Sequence, residues 1–135
     1  MTEFTWPVRV YYEDTDAGGV VYYANYLKFL ERARTEMLRE LGFELDRLAR
    51  EKHILFIVRK VTIDYHKPAF MDDMLVTSAR IEKLRKASIV FQQSIENLEQ
   101  ETLCRAEVII ACIDNITMKP VAIPEPVISE LAHVD

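Results

Sequence analysis

The apolar positions change period once along the chain, and the change divides it. Over residues 6–13, Val8, Val10 and Tyr12 alternate with Arg9 and Tyr11. A period of two places successive side chains on opposite faces of a strand. A polar turn follows, Asp14-Thr15-Asp16-Ala17-Gly18-Gly19, in which positive φ is cheap. Tyr26, Leu30, Ala33, Met37 and Leu41 then recur at steps of four, three, four and four. That spacing is one stripe of a helix, predicted over residues 22–41, with Gly42 as the C′ residue that ends it. Tyr22, Tyr23, Leu27, Phe29 and Leu38 widen the stripe. A helix this apolar should be wrapped by other structure.

Beyond a polar segment at 44–52 the chain becomes β-rich to near its end. Strands are predicted at Ile54–Tyr65, Met74–Leu84, 87–96, Thr102–Asp114 and 118–122. The tail after Pro124 should form a short helix or fray. Short connections between the strands favour antiparallel hairpins. The expected class is α+β: one domain over 1–135, with a long central helix wrapped by a curved antiparallel sheet of five to six strands. Such a sheet has unpaired edges, and edge-to-edge pairing into a twofold dimer is one way to cover them.

Composition narrows the functions this layout can serve. Half of the 135 residues are hydrophobic and 29% are charged, as in ordinary globular chains. A formal net charge of −5 supplies no broad attraction to a phosphate backbone, so no nucleic-acid role is expected. A local basic patch could still hold one phosphorylated ligand. Two cysteines, Cys104 and Cys112, lie in one strand region without a CxxC or a His pair. A zinc site needs about four clustered ligands, so no metal is expected and the thiols read as buried and reduced. The first residues carry neither a basic n-region nor an apolar h-region. No apolar run reaches the roughly 20 residues that span a bilayer. A cytoplasmic location is the expectation.

The turn before the helix holds the candidate chemistry. Asp16 stands just ahead of a helix N-terminus, whose first N–H groups lack intrahelical partners and carry partial positive charge. Such groups can hold an anion or a developing oxyanion. By position alone Asp16 could cap the helix, hold the turn or act on a substrate. Asp14 is the competing carboxylate and suits the turn better. Gly18 and Gly19 let backbone approach closely, for a ligand or for the turn itself. His53, His66 and His133 are isolated in sequence and read as solvated or satisfied.

The stretch Tyr12-Glu13-Asp14-Thr15-Asp16-Ala17-Gly18-Gly19-Val20-Val21-Tyr22-Tyr23-Ala24-Asn25-Tyr26, with Glu31-Arg32-Ala33-Arg34-Thr35-Glu36, resembles the hotdog-fold thioesterases of the 4-hydroxybenzoyl-CoA thioesterase type. Within them it is most similar to the bacterial acyl-CoA thioesterases associated with the Tol–Pal cell-envelope system. Val8-Arg9-Val10-Tyr11-Tyr12, Phe56-Ile57-Val58-Arg59-Lys60 and Met118-Lys119-Pro120 extend the likeness over nearly the whole chain. The resemblance implies a hotdog fold, acyl-CoA hydrolysis and no cofactor, coenzyme A being part of the substrate. It implies Asp16 as the catalytic carboxylate and the backbone N–H of Tyr23 as the donor that polarises the thioester carbonyl. It also implies a homodimer with sites at its interface, which can pair into a tetramer; the choice between coenzyme A and acyl carrier protein as carrier of the acyl group stays open.

Gly19, Val20 and Tyr22 are the expected substrate contacts beside these two, although Tyr22 and Tyr26 also suit core packing. Basic turns in this family meet the nucleotide end of coenzyme A. That nominates Arg85, Lys86 and Ser88, a set that also reads as a charged hairpin, with Arg59 and Lys60 as further cations. Glu31 and Arg34 have the i, i+3 spacing of a helix-surface ion pair. One departure stands out. The Tol–Pal-associated branch often has His where this chain has Tyr23, which removes an imidazole but leaves a backbone donor. The same departure argues against an acyl-thioester dehydratase, which works with a His on this helix. A non-catalytic thioester- or carrier-protein-binding module serving an envelope complex is the alternative, and a thiol-release assay separates it from an enzyme.

Overall fold

The computed structural model describes residues 3–134. The domain read over 1–135 thus has its first two residues and its last outside the described residues. Strand β1 (Phe4–Arg9) leads through a 3₁₀ turn (Tyr12–Asp14) to the helix α1 (Asn25–Glu40) and a short α2 (Leu45–Glu51). Strands β2 (Ile54–Tyr65), β3 (Met74–Leu84), β4 (Ser88–Glu96) and β5 (Thr102–Asp114) follow, and α3 (Glu125–Val134) closes the chain. Among the described residues the strands form one antiparallel sheet in the order β1-β3-β4-β5-β2, so β1 and β2 are its edges.

The helix is the centre of the core. Tyr26, Phe29, Leu30, Ala33, Met37 and Leu38 are buried on α1 against Leu75, Ala79, Phe91, Ile95 and Val108 of the sheet. The amide N–H of Gly42 donates to Arg39 O and that of Phe43 to Leu38 O, with Gly42 at φ 97°. This is the Schellman arrangement that satisfies orphan carbonyls, and the predicted C′ glycine occupies it. Polar ties add to the apolar packing. Arg34 Nη1 donates to Gln93 Oε1 (3.0 Å), and Gln93 Nε2 donates to the carbonyls of Leu30 (3.0 Å) and Ser78 (3.1 Å). Burial lowers the Arg34 pKa from its ordinary value, with Glu31 acting the other way. The expected Glu31–Arg34 ion pair does not form, because Arg34 turns inward onto β4.

Four boundaries differ from the pattern. The first strand ends at Arg9, and Tyr12 is exposed, because the chain turns at Tyr11 to bring Asp14 under it. The helix starts at Asn25, because the Tyr22 N–H is taken by Asp14 O and the Tyr23 carbonyl by the Tyr65 hydroxyl. The polar segment contains α2, which buries one side chain, Leu48, and carries two i, i+4 ion pairs, Arg47–Glu51 and Arg50–Asp46. Residues 118–122 add no sixth strand. Met118 sits at φ 60°, Pro120 has no N–H, and only the Ile113–Pro120 bridge forms.

Among the described residues no helix is long and apolar enough to cross a membrane. Cys104 and Cys112 are free and buried in β5, and burial pushes their thiols up to about 12 and about 11. Only the thiolate is reactive. At about pH 8 a thiol reagent should therefore label neither cysteine in the native protein and both in denaturant. Rapid labelling of the native protein would contradict this burial.

Candidate active site

The site grows from the path between β1 and α1. Val10 leaves β1 and exchanges hydrogen bonds with the loop ahead of β3: its N–H donates to Asp73 O (2.9 Å) and its carbonyl accepts from the Asp72 N–H (2.9 Å). The chain then turns, and Asp14 goes inside, 5% exposed. Its Oδ2 accepts from the Tyr11 N–H (2.8 Å) and its Oδ1 from Asn25 Nδ2 (2.8 Å). A buried carboxylate is costly unless its oxygens meet donors, and both oxygens of Asp14 do. The residue that enters the helix is thereby held to the residue that leaves the strand.

Asp16 is placed differently. Its side chain is exposed. Its Oδ1 accepts from the Gly18 N–H (2.8 Å), while its backbone N–H donates to Val20 O (2.9 Å) and its carbonyl accepts from Gly19 (3.0 Å). Both glycines suit this turn. A Cβ on Gly18 would stand 3.2 Å from Asp16 Oδ1, and Gly19 adopts φ 82°. Among the described residues Asp16 Oδ2 meets no donor. The residue at the helix cap is Ala24, with no side-chain cap bond, so Asp16 closes its own turn and is not the helix cap.

Beyond this loop, Val20 and Val21 dock on the segment ahead of β3 through the Val20–Phe70 bridge and the Val21 N–H to Ala69 O bond (2.9 Å). The Asn25 N–H returns to Tyr22 O (2.8 Å). The N–H groups of Tyr23 and Ala24 have no acceptor among the described residues. The helix start thus presents free donors, those of Tyr23 and Ala24 among them, a few residues after an exposed carboxylate. The tyrosines here have separate tasks. Tyr26 is buried and its hydroxyl accepts from the Ala69 N–H (3.0 Å), while Tyr22 and Tyr23 are exposed and lie 5.0 Å apart, centroid to centroid. Burial and the neighbouring Cys104, Tyr65 and Asp73 raise the Tyr26 phenol above its ordinary pKa, against the lowering effect of the Ala69 bond.

A cavity of about 260 Å³ adjoins this helix start, lined by Val21, Tyr23, Tyr26, Tyr65, His66 and Lys67 among others. Tyr65 and His66 were not singled out by pattern, because they end a strand 42 and more residues away and only the β2–α1 packing brings them here. A larger hollow of about 770 Å³ lies nearby on the same end of the sheet. Arg9 and Lys67 face Asp72, Asp73, Glu99 and Glu101 there, so its lining repels phosphates on balance. Among the described residues no three His, Cys, Asp or Glu side chains cluster as a metal site would require.

The expected site residues therefore fall into two groups. Asp16, Gly19, Val20, Tyr22 and Tyr23 share one loop-to-helix segment. Arg59 is exposed at the irregularity between Val58 and Lys60, midway along β2. Arg85 and Lys86 are exposed in the β3–β4 hairpin. Eleven residues of β3 separate that hairpin from the Asp16 end, about 33 Å at the rise of a strand. Ser88 is buried at the start of β4, where its carbonyl accepts from the Arg85 N–H (2.8 Å).

The two aspartates should separate on mutation. Asp14→Ala strands two donors and should cost roughly 2–4 kcal/mol in denaturant unfolding. Asp16→Asn can keep the bond from Gly18 and should stay within about 0.5 kcal/mol of wild type. Equal losses for the two variants would refute this division of roles.

Residues 10–131 match the model of the Thioesterase-like superfamily. The chain is 52% identical over 129 residues to the acyl-CoA thioester hydrolase YbgC of Escherichia coli O6:H1, covering 96% of each chain. A probable thioesterase from Bartonella henselae is 38% identical, with a TM-score of 0.87 over 91% of this chain and all of that one. A 1,4-dihydroxy-2-naphthoyl-CoA thioesterase from Synechocystis has the same hotdog fold at 24% identity, with a TM-score of 0.90 over 99% of this chain and 98% of that one. A helix inside an open antiparallel sheet, a match over 122 of its residues and these likenesses make the chain a member of the Thioesterase-like superfamily.

Proposed function

We propose that this chain hydrolyses acyl-CoA thioesters with Asp16 as the catalytic carboxylate and the N–H groups of Tyr23 and Ala24 as oxyanion donors. The observation that carries the reading is the contrast between two neighbouring carboxylates. Asp14 is buried with both oxygens occupied, whereas Asp16 is exposed with one oxygen open, close in sequence to two unpaired helix-start donors. The identity to an acyl-CoA thioester hydrolase over 96% of the chain supports the substrate class.

In this reading the thioester oxygen points at the helix start, where the free N–H groups stabilise the charge that develops on it. The ionised Asp16 then works by one of two routes. As a nucleophile it forms a mixed anhydride while coenzyme A leaves as thiolate, and water cleaves the anhydride. As a general base it takes a proton from water, which attacks the acyl carbon directly. Both routes end in free acid and coenzyme A, and both need the carboxylate. Asp16→Asn should lower kcat/KM by about 10²–10⁴-fold across a panel of acyl-CoAs and acyl carrier protein thioesters. Normal turnover in that variant would remove Asp16 from the mechanism.

The cations of the β3–β4 hairpin enter through a second copy. Strand β2 is an open edge with Ile57 and Val58 exposed beside Arg59. Two β2 edges paired antiparallel about a twofold axis reverse the ends of the two sheets. The hairpin of one copy then stands at the Asp16 end of the other, where Arg85 and Lys86 can meet the phosphates of coenzyme A. Mixed dimers test this. Asp16→Asn chains combined with Arg85→Ala/Lys86→Ala chains should recover a wild-type KM in one site of each dimer. No recovery would mean that the cations serve their own chain or none.

A further inference from the structure

The geometry points to Tyr65 as the positioning residue of the oxyanion site, a role that rests on the reading of Tyr23 and Ala24 as its donors. The Tyr65 hydroxyl, at the end of β2, donates to the carbonyl of Tyr23 at 2.9 Å. In a regular helix that carbonyl would accept from the amide four residues on. Here the Leu27 N–H goes to Ala24 O instead (3.2 Å), so the Tyr23 carbonyl is left to Tyr65. This bond holds the peptide between Tyr23 and Ala24, which carries the Ala24 N–H, and fixes the residue that carries the Tyr23 N–H. One side chain from the sheet edge therefore sets the direction of the Ala24 donor, while the Asn25 N–H on Tyr22 O holds the neighbouring peptide that carries the Tyr23 N–H.

The ring is held as well as the hydroxyl. It meets Tyr23 edge-on with centroids 6.2 Å apart (interplanar 88°), and Tyr26 at 5.6 Å. Tyr26 is itself anchored to Ala69. Desolvation, with Cys104 and Tyr23 nearby, raises the Tyr65 phenol above its ordinary pKa, so the hydroxyl remains a donor at neutral pH. An oxyanion donor works only if it is aimed before charge develops. Tyr65 touches no reacting atom in this arrangement and acts through the Tyr23 backbone.

Tyr65→Phe tests the assignment, since it removes the hydroxyl and leaves the ring contacts. We expect kcat to fall about tenfold, or about 1.4 kcal/mol of barrier, with KM within about twofold and Tm unchanged. The Ala24 amide resonance should shift in the same variant without substrate, as the carbonyl ahead of it loses its donor. An unchanged kcat, a loss confined to KM, or a fall in kcat that tracks a fall in Tm would overturn the role. So would an unmoved Ala24 resonance, which decides the matter even if the wild type hydrolyses no thioester in the panel. Failure of the wild type itself would instead count against the proposed activity.

Discussion

The carboxylate of Asp14 is the constraint on which this end of the molecule depends. It is buried, and a buried charge without donors would be driven out or neutralised. Two donors meet it, the Tyr11 N–H and the Asn25 side chain, and its own carbonyl accepts from Tyr22. These three bonds tie together the connection between the exit of a strand at Arg9 and the entry of a helix at Asn25, which would otherwise be loose. The five-residue turn from Asp16 to Val20 is closed inside that frame. An exposed carboxylate on a free loop would sample many positions, and here it can sample few. The buried acid thus limits where the exposed one stands, and two aspartates separated by one residue sit in different surroundings.

The second constraint is the burial of α1. Phe29 and Leu30 are fully enclosed by the sheet, so the helix cannot slide, and its first turn must emerge at one place on the sheet edge. The loop ahead of β3 meets it there, through Val10, Val21 and the Tyr26 hydroxyl. Strand β2 meets it through Tyr65. Strand β2 and the loop that follows it, both far from α1 in sequence, therefore fix one helix terminus. The apolar layer supplies the energy, and the hydrogen bonds at its end supply the direction that catalysis requires.

Local pattern and non-local contact explain what could be read from the chain and what could not. The β-rich runs that become β2, β3 and β5 are eleven residues or longer, and their boundaries were legible to the residue. The helical stripe was legible too, as was Gly42, because both are local. The start of the helix was not. It depends on Asp14 and Tyr65 taking the backbone groups of Tyr22 and Tyr23, contacts that no window of the sequence contains. Helix α2 escaped because it buries one leucine and has no stripe. Arg34 read as a surface partner of Glu31, since helical spacing says nothing of Gln93 across the core. In the site, the loop from Asp16 to Tyr23 was legible as one segment because it is contiguous. Its separation from Arg85 and Lys86 was not, for it follows from the length of β3.

That separation has an electrostatic consequence. A coenzyme A nucleotide brings several negative charges, and the end of the sheet that holds Asp16 offers them a poor reception. The hollow there sets four carboxylates against two cations, and Lys67 is already paired with Glu101. The chain as a whole is acidic, at −5. The exposed cations of the hairpin lie about 33 Å away along one strand, too far to neutralise phosphates beside the carboxylate of the same chain at a Debye length near 10 Å. A single copy therefore separates the group that would cleave the thioester from the groups that would hold its carrier. The pairing proposed at the open edge of β2 would resolve the conflict, because a twofold axis there exchanges the two ends. In the proposed dimer, the sheet edge that a lone chain leaves unpaired and the charge that a lone site lacks would be met by the same second molecule.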